Sequence, residues 1–290
     1  MKWHLWLGLI AFCLLSSAGW LFPPLASDSS LPFESPAFLF GVLGVAGLVL
    51  LLGRWRRGLP WYSLTLAGLG FFGLPTAFFE WSGGGLSGIS RSIGFAMTPV
   101  VVILVVAFTG RDEVRRLLLP ALCGVGGVLL LLPFTLPAST RGWWMLGGLL
   151  AVIVLMAAAS VWMNRILQPF RLTEAVAIVG LSNAAFLILC ASFSGPAIGR
   201  WSALAASISL SSAANAAETI LILWLLREIA PVRLAARYLV IPLLIVAEGY
   251  LIFRPELTLR MGLGAALLAG GAAVLLFSSE ASEKAHLSLR

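Results

Sequence analysis

Apolar runs of about twenty residues recur from one end of the chain to the other, separated by short polar connections. Each is long enough to cross a hydrocarbon core of about 30 Å as a helix. The pattern predicts ten spans, at roughly 4–22, 37–53, 60–80, 87–108, 116–134, 142–163, 172–192, 202–226, 236–253 and 259–277. No extended soluble domain is left over, and the tail from Ser278 is a short polar end. The expected fold class is therefore an all-α polytopic membrane protein. Lys2, the first apolar run and Ser16-Ser17-Ala18 together have the outline of a secretory signal. With multi-spanning sequence behind it, an uncleaved first helix is expected.

One stretch is echoed by another. Sliding the sequence by 143 positions lays Pro99 on Pro242, Arg111 on Arg254, Glu113 on Glu256 and Gly127 on Gly270. In each copy an apolar run follows the proline, a charged turn follows the run, and a Gly-rich apolar run closes it. The matches fall on punctuation residues, which composition alone would not align, and they read as a duplicated helical hairpin. Ten spans then divide into 1–137 and 138–290, five helices each. An odd number per half makes equivalent helices run in opposite directions, so the expectation is two inverted five-helix repeats forming one membrane domain. Inverted repeats are a signature of secondary transporters, with the substrate site near the midplane where the halves meet.

Composition agrees with the pattern. Of 290 residues 60% are hydrophobic and only 11% charged, with mean hydropathy +1.01, against about 25% charged in soluble domains. The net charge of +7 comes from Lys and Arg scattered through short loops, without the basic stripe that nucleic-acid binding needs. In the ten-span topology fourteen basic residues fall on one side and five (Arg91, Arg141, Arg200, Arg254 and Arg260) on the other. Cytoplasmic loops are the basic ones, which puts both termini in the cytoplasm. Ten of the eleven tryptophans lie at, or within about a turn of, a predicted span end, as an interfacial belt requires. Cys13, Cys123 and Cys190 sit inside apolar runs without CxxC spacing and read as buried small hydrophobes. Gly262, Ala266 and Gly270 form a small-xxx-small series expected to carry a close helix contact. His4 and His286 are both terminal, so neither a metal site nor any cofactor is expected. HExxH, GxSxG and paired aspartates are missing too, which argues against an intramembrane enzyme.

Two carboxylates lie well inside spans, where a charge costs about 2.5–3.5 kcal/mol and normally faces the bundle interior. They are Glu218 and Glu248. At 100° per residue Ser207, Ser211, Asn215 and Glu218 share an arc of about 80°. On the ninth span Arg237, Ile241, Leu244 and Glu248 share a face, with Arg237 read as a cytoplasmic boundary charge and Glu248 about 16 Å further out. The functional reading makes Glu218 and Glu248 part of a substrate or proton path, with Asn183 and Asn215 as substrate hydrogen-bond donors. The structural alternative is interhelical hydrogen bonding, with Glu248 and Arg91 a candidate pair. Arg91 is a candidate for an anionic group or for snorkelling to headgroups. Pro75, Pro99 and Pro242 are hinge or kink positions.

Pro255-Glu256-Leu257-Thr258-Leu259-Arg260 followed by Gly262-Leu263-Gly264-Ala265-Ala266-Leu267-Leu268-Ala269-Gly270 resembles the "G-E-x-L-T" turn and "G-A-x-L-I-x-x-G" last helix of the EamA-like branch of the drug/metabolite transporter superfamily. Gly110 to Glu113 and Gly124 to Gly127 resemble the same pattern in the first half, and Glu80 resembles an acidic residue that some members carry before helix four. Pro255 stands where the family often has Gly, and Gly19 precedes Trp20 where members often have Trp-Gly. The resemblance implies a secondary transporter of a small polar metabolite (amino acid, nucleoside, sugar or drug-like) in a bacterial-type inner membrane, working by alternating access, with export favoured. Glu218 and Glu248 offer two alternatives, binding a substrate ammonium or taking a coupling proton. The partners implied are the lipid bilayer, the small-molecule substrate, protons and, for an oligomer, a homodimer. The competing readings are a lipid or lipid-linked carrier translocase and a non-transporting scaffold.

Overall fold

The computed structural model describes residues 2–21, 33–52, 56, 58–82, 88–110, 112–132, 139–194, 210–254 and 258–277. Among them the chain is helical throughout. The helices are α1 (Trp3–Leu21), α2 (Glu34–Leu50), α3 (Trp61–Ser82), α4 (Gly88–Ala96 and Thr98–Phe108, meeting at Met97), α5 (Asp112–Leu117 and Leu118–Leu131), α6 (Thr140–Ile166), α7 (Leu172–Ser194), α8 (Leu210–Glu228), α9 (Pro231–Ala235 and Arg237–Phe253) and α10 (Leu259–Phe277). Seven of these, α3, α4, α5, α6, α7, α9 and α10, are long and apolar enough to cross a membrane, and α1 and α2 are shorter apolar helices. The chain is thus a polytopic helical protein. Its outer surface agrees, since Phe108, Phe193 and Leu251 are 85%, 84% and 74% exposed. Large apolar side chains on that scale belong against lipid.

Prolines account for the irregular backbone. Pro75 has no amide hydrogen for the Phe71 carbonyl, and its ring would crowd that oxygen in a regular helix. The turn ahead of it, Leu69–Gly73, is widened to a π-helix, and the Leu74 N–H reaches back to the Leu69 carbonyl. Pro99 is the second residue of Thr98–Phe108, just past the interruption at Met97. Pro242 lies inside the long segment of α9 and leaves the Tyr238 carbonyl without its helical donor. Polar side chains close helix ends: Ser139 caps α6 by accepting from the Gly142 amide at 3.1 Å. Asn164 donates to the Leu226 and Ile229 carbonyls at the end of α8.

The two most extensive helix contacts are α2 with α7 and α5 with α10. Both are antiparallel and both depend on glycine. A Cβ on Gly44 would stand 2.6 Å from the Leu181 amide, and one on Gly180 would stand 2.6 Å from the Gly44 amide. In the second pair, a Cβ on Gly127 would meet the Gly264 carbonyl at 2.6 Å and the Leu268 amide at 2.8 Å. One on Gly271 would meet the Pro120 carbonyl at 2.6 Å and the Gly124 amide at 2.9 Å. This corrects the expected contact stripe. Gly262 and Gly270 have nothing within 4 Å; α10 packs through the neighbouring face of Gly264, Leu268 and Gly271. That helix is rich in small residues on every side, so composition did not single out a face.

α1 is an integral part of the bundle: Leu5, Leu9, Phe12 and Cys13 are buried in a core shared with α3, α6, α7 and α8. A second core joins α4, α5, α6, α9 and α10. Cys13 is buried and Cys190 half-buried, but Cys123 is exposed, contrary to the expectation for all three. It lies on the side of α5 turned away from α10, next to Leu122 at 50% exposure. Among the tryptophans, Trp3, Trp61, Trp81, Trp143, Trp144 and Trp162 are exposed. Trp224 instead packs inward over Gly8, where a Cβ would lie 2.3 Å from the indole.

The glycine crossing yields a matched pair of variants. Gly127→Ala pushes a methyl into facing backbone and should lower stability by about 1–3 kcal/mol. Gly126→Ala, with open space around it, should be neutral or stabilising by up to about 1 kcal/mol. Unfolding midpoints of the purified variants in detergent would check this, and equal midpoints would contradict the close crossing.

Candidate functional site

Arg237 lies at the centre of the polar interior. Its placement corrects the reading of a boundary charge, for its side chain is only 5% exposed. The cause is the true start of α9 at Pro231, six residues earlier and therefore about 9 Å of helical rise further out. Three aromatic faces surround the guanidinium. Its Cζ lies 5.3 Å from the Phe12 ring centroid, 5.6 Å from Phe71 and 4.5 Å from Tyr238, and an η-nitrogen donates to the Tyr238 hydroxyl at 2.7 Å. Those rings come from α1, α3 and α9.

The two intramembrane carboxylates both turn toward α1. Glu218, half-buried on α8, accepts a hydrogen bond from the Ser16 side chain and lies within electrostatic reach of Arg237. Glu248 on α9 accepts from the Ser17 hydroxyl at 2.8 Å, and its other carboxylate oxygen is buried without a partner. The predicted face of α9 is therefore present, since Arg237 and Glu248 both meet α1 and Ile241 and Leu244 pack on the core between them. The partner of Glu248 is a serine one turn from the end of α1, however, rather than Arg91. Ser16 and Ser17 were missed as site residues. Their signal was visible as two adjacent hydroxyls inside an apolar run, but it was assigned to a cleavage-site pattern.

The remaining sequence candidates separate. Arg91 lies over the Phe79 ring at 5.2 Å and donates to the Ser82 hydroxyl at 3.4 Å, with Glu80 within electrostatic reach. A line of rings connects it to the centre: Phe79 to Phe95 at 5.5 Å, then Phe95 stacked on Tyr238 at 5.9 Å and 7°. Asn183 is fully buried on α7 and donates to the Val179 carbonyl. It packs against the π turn of α3, where a Cβ on Gly73 would meet its carbonyl oxygen at 2.5 Å, away from the Glu218 cluster. Asn215 is exposed, one turn before Glu218. Ser207 lies outside the described residues, as does the Ser211 side chain. Among the described residues no three of His, Cys, Asp and Glu converge as a metal would require.

Beside Arg237 lies a small cavity with room for little more than a water molecule. Its walls include Phe71 from α3, Thr98 from α4, Ser160 from α6 and Arg237 and Tyr238 from α9. The Thr98 side chain is 2% exposed and its hydroxyl has no partner.

No protein-family model and no curated protein matches this chain. A solved structure described only as "Crystal structure of protein" superposes with a TM-score of 0.71 at 20% identity, over 98% of this chain and 100% of its own. That likeness shows the fold. It assigns neither family nor activity.

Among the described residues Arg237 forms no ion pair with a carboxylate within 4 Å. Replacing a buried ion pair by well-packed apolar residues is often neutral or stabilising, and removing a buried charge without an ion-pair partner likewise removes its desolvation cost. Arg237→Met should thus keep or raise the unfolding temperature. A fall of more than about 4 °C, the scale of a lost kcal/mol in a small domain, would make Arg237 a structural keystone.

Proposed function

We propose that the chain is a secondary transporter of the EamA-like drug/metabolite type. It carries a small polar metabolite across a bacterial-type inner membrane by alternating access, with ten membrane spans, both termini cytoplasmic, and export driven by protons. The observation that carries this reading is the polar contact between halves. Glu218, Arg237 and Glu248, all from the second half, meet Ser16, Ser17, Phe12 and Phe71, all from the first. Ionisable groups inside a membrane bundle mark substrate and proton pathways. A site shared by two rocking halves can be opened to either side.

Backbone geometry supports the inverted repeat. α4 and α9 end on left-handed residues, Gly110 (φ 90°) and Arg254 (φ 46°), which are 144 positions apart. The same offset maps Gly127, Gly264 and Leu268 onto Gly271, Pro120 and Gly124, which is how the two glycine contacts of α5 and α10 correspond. The register is one residue longer than the sequence identities suggest. Helices five apart in order, α2 with α7 and α5 with α10, pack antiparallel, as inverted halves require.

In this mechanism Glu218 takes and releases the coupling proton, the Ser16 hydroxyl holds the charged form, and Arg237 sets its local potential. The interruptions at Leu69–Gly73, Met97 and Ala236 and the proline at 242 let α3, α4 and α9 bend while the glycine-locked pairs stay rigid. Glu218→Gln should abolish proton-driven flux of the metabolite in proteoliposomes while leaving elution profile and unfolding temperature intact. Undiminished pH-dependent flux in that variant would remove the proton role. Transfer of labelled lipid between leaflets, with no soluble solute moved, would favour the lipid-translocase reading.

A further inference from the structure

The walls of the cavity beside Arg237 are mainly apolar, with the polar side chains of Arg237, Tyr238, Thr98 and Ser160 among them. Arg237 is buried and makes one hydrogen bond through its guanidinium, to the Tyr238 oxygen. Because that oxygen accepts, the phenolic hydrogen is free to donate elsewhere. The Thr98 hydroxyl is buried and unpartnered. Ser160 already donates to the Ala157 carbonyl at 2.7 Å. Glu218 reaches Arg237 electrostatically but forms no ion pair with it within 4 Å. A buried hydroxyl without a partner, beside a guanidinium that makes a single hydrogen bond, leaves polar groups that a further ligand could meet.

We propose that this cavity binds a small monovalent anionic group, a free halide or the carboxylate of an organic solute, held by Arg237, Tyr238 and Thr98. Its size sets the limit: the space is that of about one water molecule, which admits at most a single halide or one carboxylate oxygen and excludes an anion such as gluconate. The site is independent of the transport reading, because binding requires no flux and can be measured on the resting protein.

The test uses the full chain purified in detergent, with unfolding temperature measured against anion concentration at constant ionic strength. Chloride and bromide should raise the unfolding temperature saturably, and gluconate should not. Thr98→Val, which keeps the shape and removes the hydroxyl, should weaken the effect about tenfold, the scale of one hydrogen bond to a charge. Thr98→Ser should restore it, and Tyr238→Phe supplies a second donor deletion should the first variant fail to fold. Formate and acetate distinguish the sources: competition with bromide identifies a carboxylate site, and halide selectivity without competition identifies a free inorganic anion. In crystals grown with bromide, an anomalous peak between Arg237 and Thr98 would locate the ion. The proposal is overturned if halides give no saturable shift beyond that of gluconate, or if the shift survives both donor deletions unchanged. Loss of flux in Glu218→Gln with the anion shift retained would leave this site standing, and the converse result would remove it while leaving transport.

Discussion

A guanidinium inside a membrane bundle has to be compensated, and around Arg237 most of the compensation is aromatic. Burying such a charge costs about 2.5–3.5 kcal/mol on insertion scales. A desolvated cation over a ring recovers about 0.5–2 kcal/mol, so the three rings of Phe12, Phe71 and Tyr238 together act on the scale of that cost. Those rings arrive from α1, α3 and α9, which fixes how closely the three helices approach. The electrostatic requirement of one side chain thereby becomes a geometric constraint on the bundle. Of the two intramembrane carboxylates, Glu218 is the one within electrostatic reach of this charge. Glu218 lies near enough to moderate the charge and, without a direct pair, remains available for other chemistry.

Rigidity and adaptability are assigned to different helices. α2 against α7 and α5 against α10 touch backbone to backbone through glycine, leaving no slack for a side chain. The polar centre is built from α1, α3, α4, α6, α8 and α9, and the irregular turns fall in three of these. A π turn widens α3, and interruptions divide α4 at Met97 and α9 at Ala236. Hydrogen-bond ladders that are already broken bend at less cost than intact ones. Tight pairs thus flank a centre of interrupted helices, and the frame is stiffest where glycine sets the contact.

How much of this the sequence disclosed follows from the kind of force involved. Helix positions were legible because crossing hydrocarbon imposes a length and a composition, and α6, α7 and α10 fall close to the spans expected from apolar runs alone. The face of α9 that joins Arg237 to Glu248 was legible from helical periodicity. Depth was not, because Arg237 was judged by its distance from the apolar run, whereas Pro231 had already begun the helix. The contact face of α10 was hidden for the opposite reason: small residues surround the helix, and only the approach of α5 selects Gly264 and Gly271 over Gly262 and Gly270. Partners such as Ser17 for Glu248 lie 231 residues apart in sequence, a relation that no local pattern encodes.

In the proposed inverted repeat, the departures from equivalence are informative. From the interruption at Met97 to the left-handed cap at Gly110 is thirteen residues, whereas from Ala236 to Arg254 is eighteen. The distal segment of α9 is thus five residues longer than that of α4, about 7.5 Å of helix, and Arg237 stands at its start. A duplicated frame supplies two equivalent walls, and equivalent walls on their own would line a cavity with matching chemistry. The interruption is displaced rather than the helix lengthened, since at an offset of 144 Gly88 falls on Val232 and Ile93 on Arg237, so the cation stands where the first half has an aliphatic side chain. The result is a centre that is charged on one side and merely polar on the other. Such an asymmetry can orient a dipolar ligand, which a symmetric pair of walls could not.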